Sequence, residues 1–275
     1  MKLEKQPMAE YLSDPGIGSG QLKTILDSPR DYQFSLKAPK KESAAQSKGT
    51  LWHTYILERD LYHEQHIIQP EDWGSLVENP GRKKWAEFKE KAKQLGKIPI
   101  KYKDAADLLL LDEVIDSHND LQVILGTHKA EVSFYAELDG IRLKSREDLW
   151  SPDEDCRMVW DVKTTSKDLD DETIARTIFD NGYHFSAAHH MKVMELAGYP
   201  CAGWGWIFVS TSTPCPHIVI KRASRELLEY GETDWKYAFD MLKDCKEKNS
   251  WPGYDEEILE IGLPDWIERK YYNGL

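Results

Sequence analysis

Between residues 131 and 165 the chain reads as three consecutive strands: "EVSFYAEL", then Asp139-Gly140, then "IRLKSREDLW", then "SPDEDC", then "RMVWDVKTT". Asp-Gly between two alternating runs is a strong signal for a two-residue hairpin turn, and the turn fixes the register. Centring it on Asp139 and Gly140 sets Glu131 opposite Asp148. Centring the second turn on Glu154 and Asp155 sets Asp148 opposite Asp161. Three carboxylates then stand side by side across three strands. Lys163 shares their face, because strand side chains alternate with period two.

This register predicts an apolar face of Val132, Phe134, Ala136, Leu138, Ile141, Leu143, Leu149, Met158, Trp160 and Val162. The other face carries Glu131, Ser133, Glu137, Arg142, Lys144, Arg146, Asp148, Arg157, Asp161 and Lys163. A half-solvated antiparallel sheet has that pattern without any special chemistry. Adjacent carboxylates repel, however, so a row of three calls for neutralising positive charge. A divalent cation is the expected source, with Lys144, Arg146 and Lys163 contributing. Oxygen ligands from Asp and Glu suit Mg²⁺ or Mn²⁺ better than zinc. Two carboxylates, a lysine and flanking arginines suit phosphodiester hydrolysis. The cation polarises the phosphoryl oxygen and activates water, and the lysine orients that water and stabilises charge at phosphorus.

Around this meander the pattern is helical. Ser19 is placed to cap a helix at "GQLKTILDS", and Pro29 to open one at "PRDYQFSLKA". Further helices are expected in "KGTLWHTYILE", in the basic stretch after residue 82, over residues 104–118, in "LDDETIARTIFD" and "YHFSAAHHMKVMELAG", and from residue 224 to about residue 248. Strands are expected in "GWGWIFVST" and "HIVIKRA". The aromatic tail "SWPGYDEEILEIGLPDWIERKYYNGL" is expected to pack back on the body. Without repeats or a low-complexity linker, this order gives an α/β fold. It is a single domain, 1–275, in which 1–125 is mainly helical, 126–222 forms the sheet core and 223–275 forms a C-terminal helix and tail.

Composition narrows the function classes. Four cysteines, at 156, 201, 215 and 245, lack metal-site spacing, so reduced thiols are expected. A net charge of −12 argues against indiscriminate coating of nucleic acid. The charge is uneven: residues 82–103 hold nine basic residues against Glu87 and Glu90, and residues 224–275 hold thirteen acids against seven bases. Lys37, Lys40, Lys41 and Lys48 form a weaker basic cluster. The N-terminus lacks the apolar segment of a signal peptide and no long apolar run occurs, so a cytoplasmic protein without a membrane partner is expected. His63, His66, His118 and His217 read as ordinary histidines.

Asp148, followed thirteen positions later by Asp161-Val162-Lys163, resembles the acid and D-x-K elements of the PD-(D/E)XK nuclease superfamily. "GTLWH", residues 49–53, resembles the G-x-x-x-H element of its RecB-like branch, where Glu131 matches an extra acid. "SGQLKTILDSPRDYQFSLKAP", "GTLWHTYILE", "NPGRKKWAEF", "RLKSREDLW", "DVKTT", "GYHFSAAHH" and "WPGYDEEILEIGLPDW" together resemble the phage and prophage RecE-type exonucleases, also termed exodeoxyribonuclease VIII, over nearly the whole length.

The resemblance implies a restriction-endonuclease-like core with a central mixed β-sheet flanked by helices and an N-terminal helical region. It implies His53, Asp148, Asp161 and the main-chain carbonyl of Val162 as ligands for Mg²⁺ or Mn²⁺, with two ions expected. Lys163 would act on the water, and Glu131 would assist through a water of the ion or by orienting Lys163. Arg82, Lys83, Lys84, Lys144 and Arg146 are the expected DNA contacts. The family's Tyr-x-x-Gln-x-x-x-Tyr helix reads here Tyr183, Ser186 and His190, so the polar contacts of that helix are altered or taken over by histidine. The implied activity is digestion of double-stranded DNA ends, 5′ to 3′, by a ring-like homo-oligomer serving a single-strand annealing protein in a bacterial host, encoded by a phage or prophage. A structure-specific or single-strand endonuclease of the same fold, and a non-catalytic DNA-end-binding recombination module, are the alternatives.

Overall fold

The computed structural model describes the chain outside residues 5, 38–43, 77–80, 154–156, 212–214, 255–257, 259 and 274–275. Elements run in chain order as β1 (Lys2–Leu3), α1 (Met8–Ser13), α2 (Ser19–Asp27), α3 (Pro29–Ser35), α4 (Ala44–Leu57), α5 (Arg59–Gln65) and β2 (His66–Ile68). A 3-10 turn at Glu71–Leu76 precedes α6 (Arg82–Gln94), β3 (Ile98–Ile100), α7 (Tyr102–Ser117) and α8 (Asn119–Thr127). The meander follows as β4 (Lys129–Leu138), β5 (Ile141–Trp150) and β6 (Met158–Thr165). After it come α9 (Asp171–Asp180), α10 (Tyr183–Leu196), β7 (Gly203–Ser210), β8 (Ile218–Arg222), α11 (Arg225–Lys248) and α12 (Asp265–Asn273).

The caps explain several boundaries. Pro29 opens α3 behind Ser28, whose hydroxyl accepts the Asp31 N–H, and the Ser224 hydroxyl does the same for Leu227 at the start of α11. Ser19 is the first residue of α2 rather than its cap. Gly18 holds the cap position, and its N–H is taken by the Gln21 side chain.

One mixed sheet carries the order β1-β4-β5-β6-β7-β8, and β2 pairs in parallel with β3 in a separate two-stranded sheet. Both predicted hairpin registers hold. Ala130 pairs with Leu149 and Val132 with Glu147, while Leu149 pairs with Trp160 and Trp150 with Val159. The turn at Glu154 and Asp155 that sets the second register lies outside the described residues, as do Lys40, Lys41 and Cys156.

The predicted faces do not hold. Both faces of the sheet are covered by helices. Val132, Phe134, Ile141, Leu143, Val159, Trp204 and Trp206 pack with α2, α3, α9, α10 and α11. Leu149, Trp160, Val162, Ile207 and Val209 pack with α4, α7 and α8 on the other side. The exchange happens at Glu131, which sits in the left-handed region with φ 56°. A left-handed residue turns the strand over, so Ala130 and Val132 join opposite cores, and across the ladder Leu149 joins the α4 side while Glu147 meets His190 of α10. Register survives because both strands turn together.

The expected solvated row is also covered. Residues 1–17 lie over β4 and β5: Lys2 pairs with Phe134, and Ile17 bridges Leu143. Of the tail, Trp251 stacks on Tyr32 at 5.7 Å and the Pro252 carbonyl accepts from the Arg30 N–H. Farther on, Ile258 and Ile261 are 103% and 95% exposed, so among the described residues the packing back of the tail is seen at Trp251 and Pro252.

Candidate active site

The ladder between β5 and β6 covers only Leu149–Trp160 and Trp150–Val159. At the next position the Val162 N–H donates to the Asp148 carboxylate at 2.7 Å instead of to a strand carbonyl. Beyond it the freed edge of β5 is taken by Ile17, whose N–H donates to the Arg142 carbonyl and whose carbonyl accepts from the Lys144 N–H. The strands therefore part at Asp148 and Asp161, and the functional groups meet where they part.

Helix α4 closes one side of that gap. A Cβ on Gly49 would lie 3.1 Å from Thr164 Oγ1, so the bare glycine lets α4 press close to β6. One turn later, on the same helix face, His53 reaches the acids. Its Nε2 is 2.9 Å from Asp148 Oδ2 and its Nδ1 3.3 Å from Glu131 Oε1. Glu131 is also bonded by Arg146 Nε. On β6, Lys163 Nζ lies 2.7 Å from the Asp161 carboxylate.

The electrostatics follow from this crowding. Burial pushes the His53 imidazole down, but the Asp148 charge and hydrogen bond, with Glu131, override it and raise the group to about 9. Asp148 is held well below the usual carboxylate range, since His53, Lys163 and the Val162 N–H outweigh its burial. Asp161 goes the other way, up to about 6: burial and the neighbouring Asp148 oppose ionisation more than Lys163 assists it. Burial, with Asp148, also raises Glu131. Burial disfavours the Lys163 ammonium, yet Asp161 and Asp148 keep it protonated.

Among the described residues, ligand atoms of His53, Glu131 and Asp148 lie within 4.8 Å of one another. One imidazole nitrogen and two carboxylates in that space fit a divalent cation, for which the imidazole binds in its neutral form. This differs from the expected set: Glu131 completes the cluster, and the Asp161 carboxylate is turned to Lys163.

Two expected DNA contacts are corrected. Lys144 is buried, with Nζ donating to the carbonyls of Tyr11 at 2.9 Å and Asp14 at 2.6 Å. Arg146 is buried too, donating to Glu131, to the Gln6 carbonyl at 2.8 Å and to Ser133 Oγ at 3.2 Å. Both are buried and engaged by the N-terminal segment and the sheet, and neither lines the cleft beside Lys163. Arg82 and Lys83 are exposed on α6, and Lys84 Nζ lies 4.5 Å over the Trp73 ring.

The cleft that opens beside Lys163 is lined by Lys48, Lys101, Lys103, Lys167 and Tyr183 together with Asp104 and Asp107, the latter 3.9 Å from Lys48 Nζ, and has a volume of about 840 Å³. It adjoins a second concavity of about 930 Å³ through Lys48 and Asp104, where α6 contributes Trp85 and Lys89. Lys101 and Lys103 belong to the basic stretch of 82–103, but its far end rather than its helical start borders the site. Lys167 had no signal in the sequence.

On α10, Ser186 Oγ bonds the Gly182 carbonyl of its own helix and reaches no site group. His190 Nδ1 lies 2.9 Å from Glu147, whose other oxygen accepts from Ser145 Oγ at 2.6 Å. Burial opposes the His190 charge, and Glu147 raises its pKa in spite of it. Sequence reasoning missed Glu147, although an acid in step with Ile141 and Leu143 was a visible anomaly. His118 caps α8, and Cys201, Cys215 and Cys245 are free. Among the described residues no helix is long and apolar enough to cross a membrane.

The fold resembles that of a provisionally named exonuclease from Eubacterium rectale, with TM-score 0.59 and 11% identity over 99% of this chain and 100% of that one. Identity that low establishes shared fold alone. A phage-related exonuclease from Haemophilus somnus 129PT aligns over 88% of this chain and 100% of its own at 12% identity, but its TM-score of 0.36 carries no argument. Comparison with curated proteins gives no match. The family model described as "PDDEXK-like domain of unknown function (DUF3799)" matches residues 18–261, and with the His53, Glu131, Asp148 and Asp161-Val162-Lys163 geometry inside that span, the chain belongs to this PDDEXK-like family.

Proposed function

We propose that the chain is a divalent-metal-dependent deoxyribonuclease that digests duplex DNA from its ends. The observation that carries this reading is the convergence of His53, Glu131 and Asp148 within 4.8 Å beside the Asp161–Lys163 pair, at the wall of a lysine-lined cleft. His53 and the two carboxylates would hold Mg²⁺ or Mn²⁺, with Asp161 and the Val162 carbonyl on the adjoining strand completing the donor set for a second ion. When bound, the ion supplies positive charge to a phosphoryl oxygen and lowers the pKa of water. The chain's own groups do the rest. Lys163 directs its ammonium at the attacking water and at the phosphate, Arg146 orients Glu131, and Lys48, Lys101, Lys103 and Lys167 hold the DNA backbone without reading sequence.

The finer assignment, 5′ to 3′ digestion by a ring-like RecE-type homo-oligomer that hands single strands to an annealing protein in the cytoplasm of a phage-bearing bacterium, is supported by the sequence motifs. The test is incubation of purified protein and its Lys163→Ala variant with linear and covalently closed circular duplexes in Mg²⁺ or Mn²⁺. Nucleotides released from the linear duplex alone, and only by the parent, are the expected result. Cutting of the circle would replace the exonuclease with an endonuclease, and no release from either would leave a DNA-end-binding module.

A further inference from the structure

Lys163 has a second neighbour that its acid–base chemistry does not require. Its ammonium nitrogen lies 4.9 Å from the centre of the Tyr183 ring, within the range of a cation–π contact. Tyr183 is the first residue of α10 and is placed by its predecessor. Gly182 adopts φ 64°, and a Cβ there would meet Lys23 Cδ at 2.7 Å. The Lys23 chain therefore packs over the bare glycine and its ammonium is taken by the Asn181 carbonyl, which leaves the ring face to Lys163. Phe208 backs the ring at 6.5 Å. Among the described residues the Tyr183 hydroxyl makes no hydrogen bond, so the ring rather than the hydroxyl is what this residue presents to the site.

We infer that Tyr183 is a positioning residue for Lys163, whose aromatic face holds the ammonium in place once the Asp161 carboxylate turns from the lysine to a cation. The inference rests on the nuclease reading for its meaning but on geometry for its existence. With Asp161 as sole partner, Lys163 would be released to solvent when the carboxylate is engaged. A ring face keeps a cation close without competing for the donors that Lys163 directs at water and phosphate, because it takes up no lone pair. The expected substitution pattern is therefore unlike that of a residue stacking on a base or donating to a phosphate.

The experiment compares Tyr183→Phe, Tyr183→Leu and Tyr183→Met in steady-state digestion of linear duplex, with melting temperatures taken alongside. The Leu and Met variants should lose about tenfold in kcat at nearly unchanged KM, and the Phe variant should recover it. In parallel, lysines are reductively methylated with ¹³C and the Lys163 resonance is assigned by its disappearance in Lys163→Arg. The ring face should shift that resonance upfield in the parent and in Tyr183→Phe, but not in the Leu or Met variants. A Phe variant as slow as Leu would assign the effect to the hydroxyl. A Leu variant with parental kcat, or a Lys163 resonance indifferent to the ring, would also overturn the inference. If the parent releases no nucleotides, the function fails and the resonance alone decides whether the contact exists.

Discussion

Asp148 makes three commitments: a bond to His53, a bond from the Val162 N–H and a place in the three-residue cluster. Asp148→Asn keeps its size but removes the charge that His53 and a cation share. Digestion should fall at least about a hundredfold, and Mn²⁺ binding measured by calorimetry should weaken by at least about tenfold. A second residue-scale expectation concerns His189, which has no part in the site. It is fully buried; Trp235 Nε1 donates to its Nδ1 at 3.0 Å, so Nε2 carries the proton and donates to the Lys144 carbonyl at 3.0 Å. Burial, with His190 alongside, pushes its pKa from 6.5 down to about 3. The folded state thus binds fewer protons than the unfolded chain below pH 6.5, and stability is lost as pH falls from 6.5 toward 3. Between pH 7 and pH 5 this group should cost about 2 kcal/mol. His189→Gln retains a donor and an acceptor without titrating. Denaturant unfolding at the two pH values should show the parent losing about 2 kcal/mol more than the variant, and equal losses would remove His189 as the cause.

At the scale of elements α10 and α11 meet closely at Gly231. A Cβ on Gly231 would stand 2.4 Å from the His184 carbonyl oxygen, a backbone atom that cannot swing away. Alanine in a helix interior ordinarily gains about 1 kcal/mol over glycine. Here overpacking should reverse the sign, so that Gly231→Ala loses about 1–3 kcal/mol in denaturant unfolding. A gain would show that the helices separate freely. Such joints are invisible in sequence, whereas the meander was legible because Asp139-Gly140 and strict alternation act over a few residues. Both registers and the strand positions of Glu131, Asp148, Asp161 and Lys163 could be placed that way, whereas His53 came forward only through the likeness of "GTLWH" to a family element. The exchange of faces could not be, because nothing in "KAEVSF" marks Glu131 as left-handed. That conformation costs roughly 1–3 kcal/mol locally, and its partners Arg146 and His53 come from β5 and α4. The burial of Lys144 and Arg146 was hidden for the same reason: it depends on where residues 1–17 fold back, a choice made by tertiary contacts. Short β1, β2 and β3, of two or three residues each, are too brief to leave a periodic trace.

For the whole molecule, the proposed nuclease activity requires a chain of net charge −12 to hold a polyanion. Separation of charge is how it would do so. The acid-rich stretch from residue 224 onward runs through α11 and the tail, while Lys48, Lys101, Lys103 and Lys167 are gathered in the cleft next to Lys163. Two of the lysines that sequence charge alone brought forward, Lys83 and Lys84, stand on α6 instead. Phosphate contacts release counterions, so each lost contact should reduce the slope of log affinity against log salt by about one. Lys101→Gln with Lys103→Gln, assayed by fluorescence anisotropy on a short duplex in Ca²⁺ to avoid cleavage, should therefore flatten the salt dependence by about two and weaken binding evenly across sequences. Lys83→Gln with Lys84→Gln should flatten it less, because Lys84 already lies over Trp73 and α6 lines the adjoining concavity rather than the cleft beside Lys163. If the α6 pair carried the larger slope, the path of DNA would run along that helix, and the cleft beside Lys163 would receive only the end being cut.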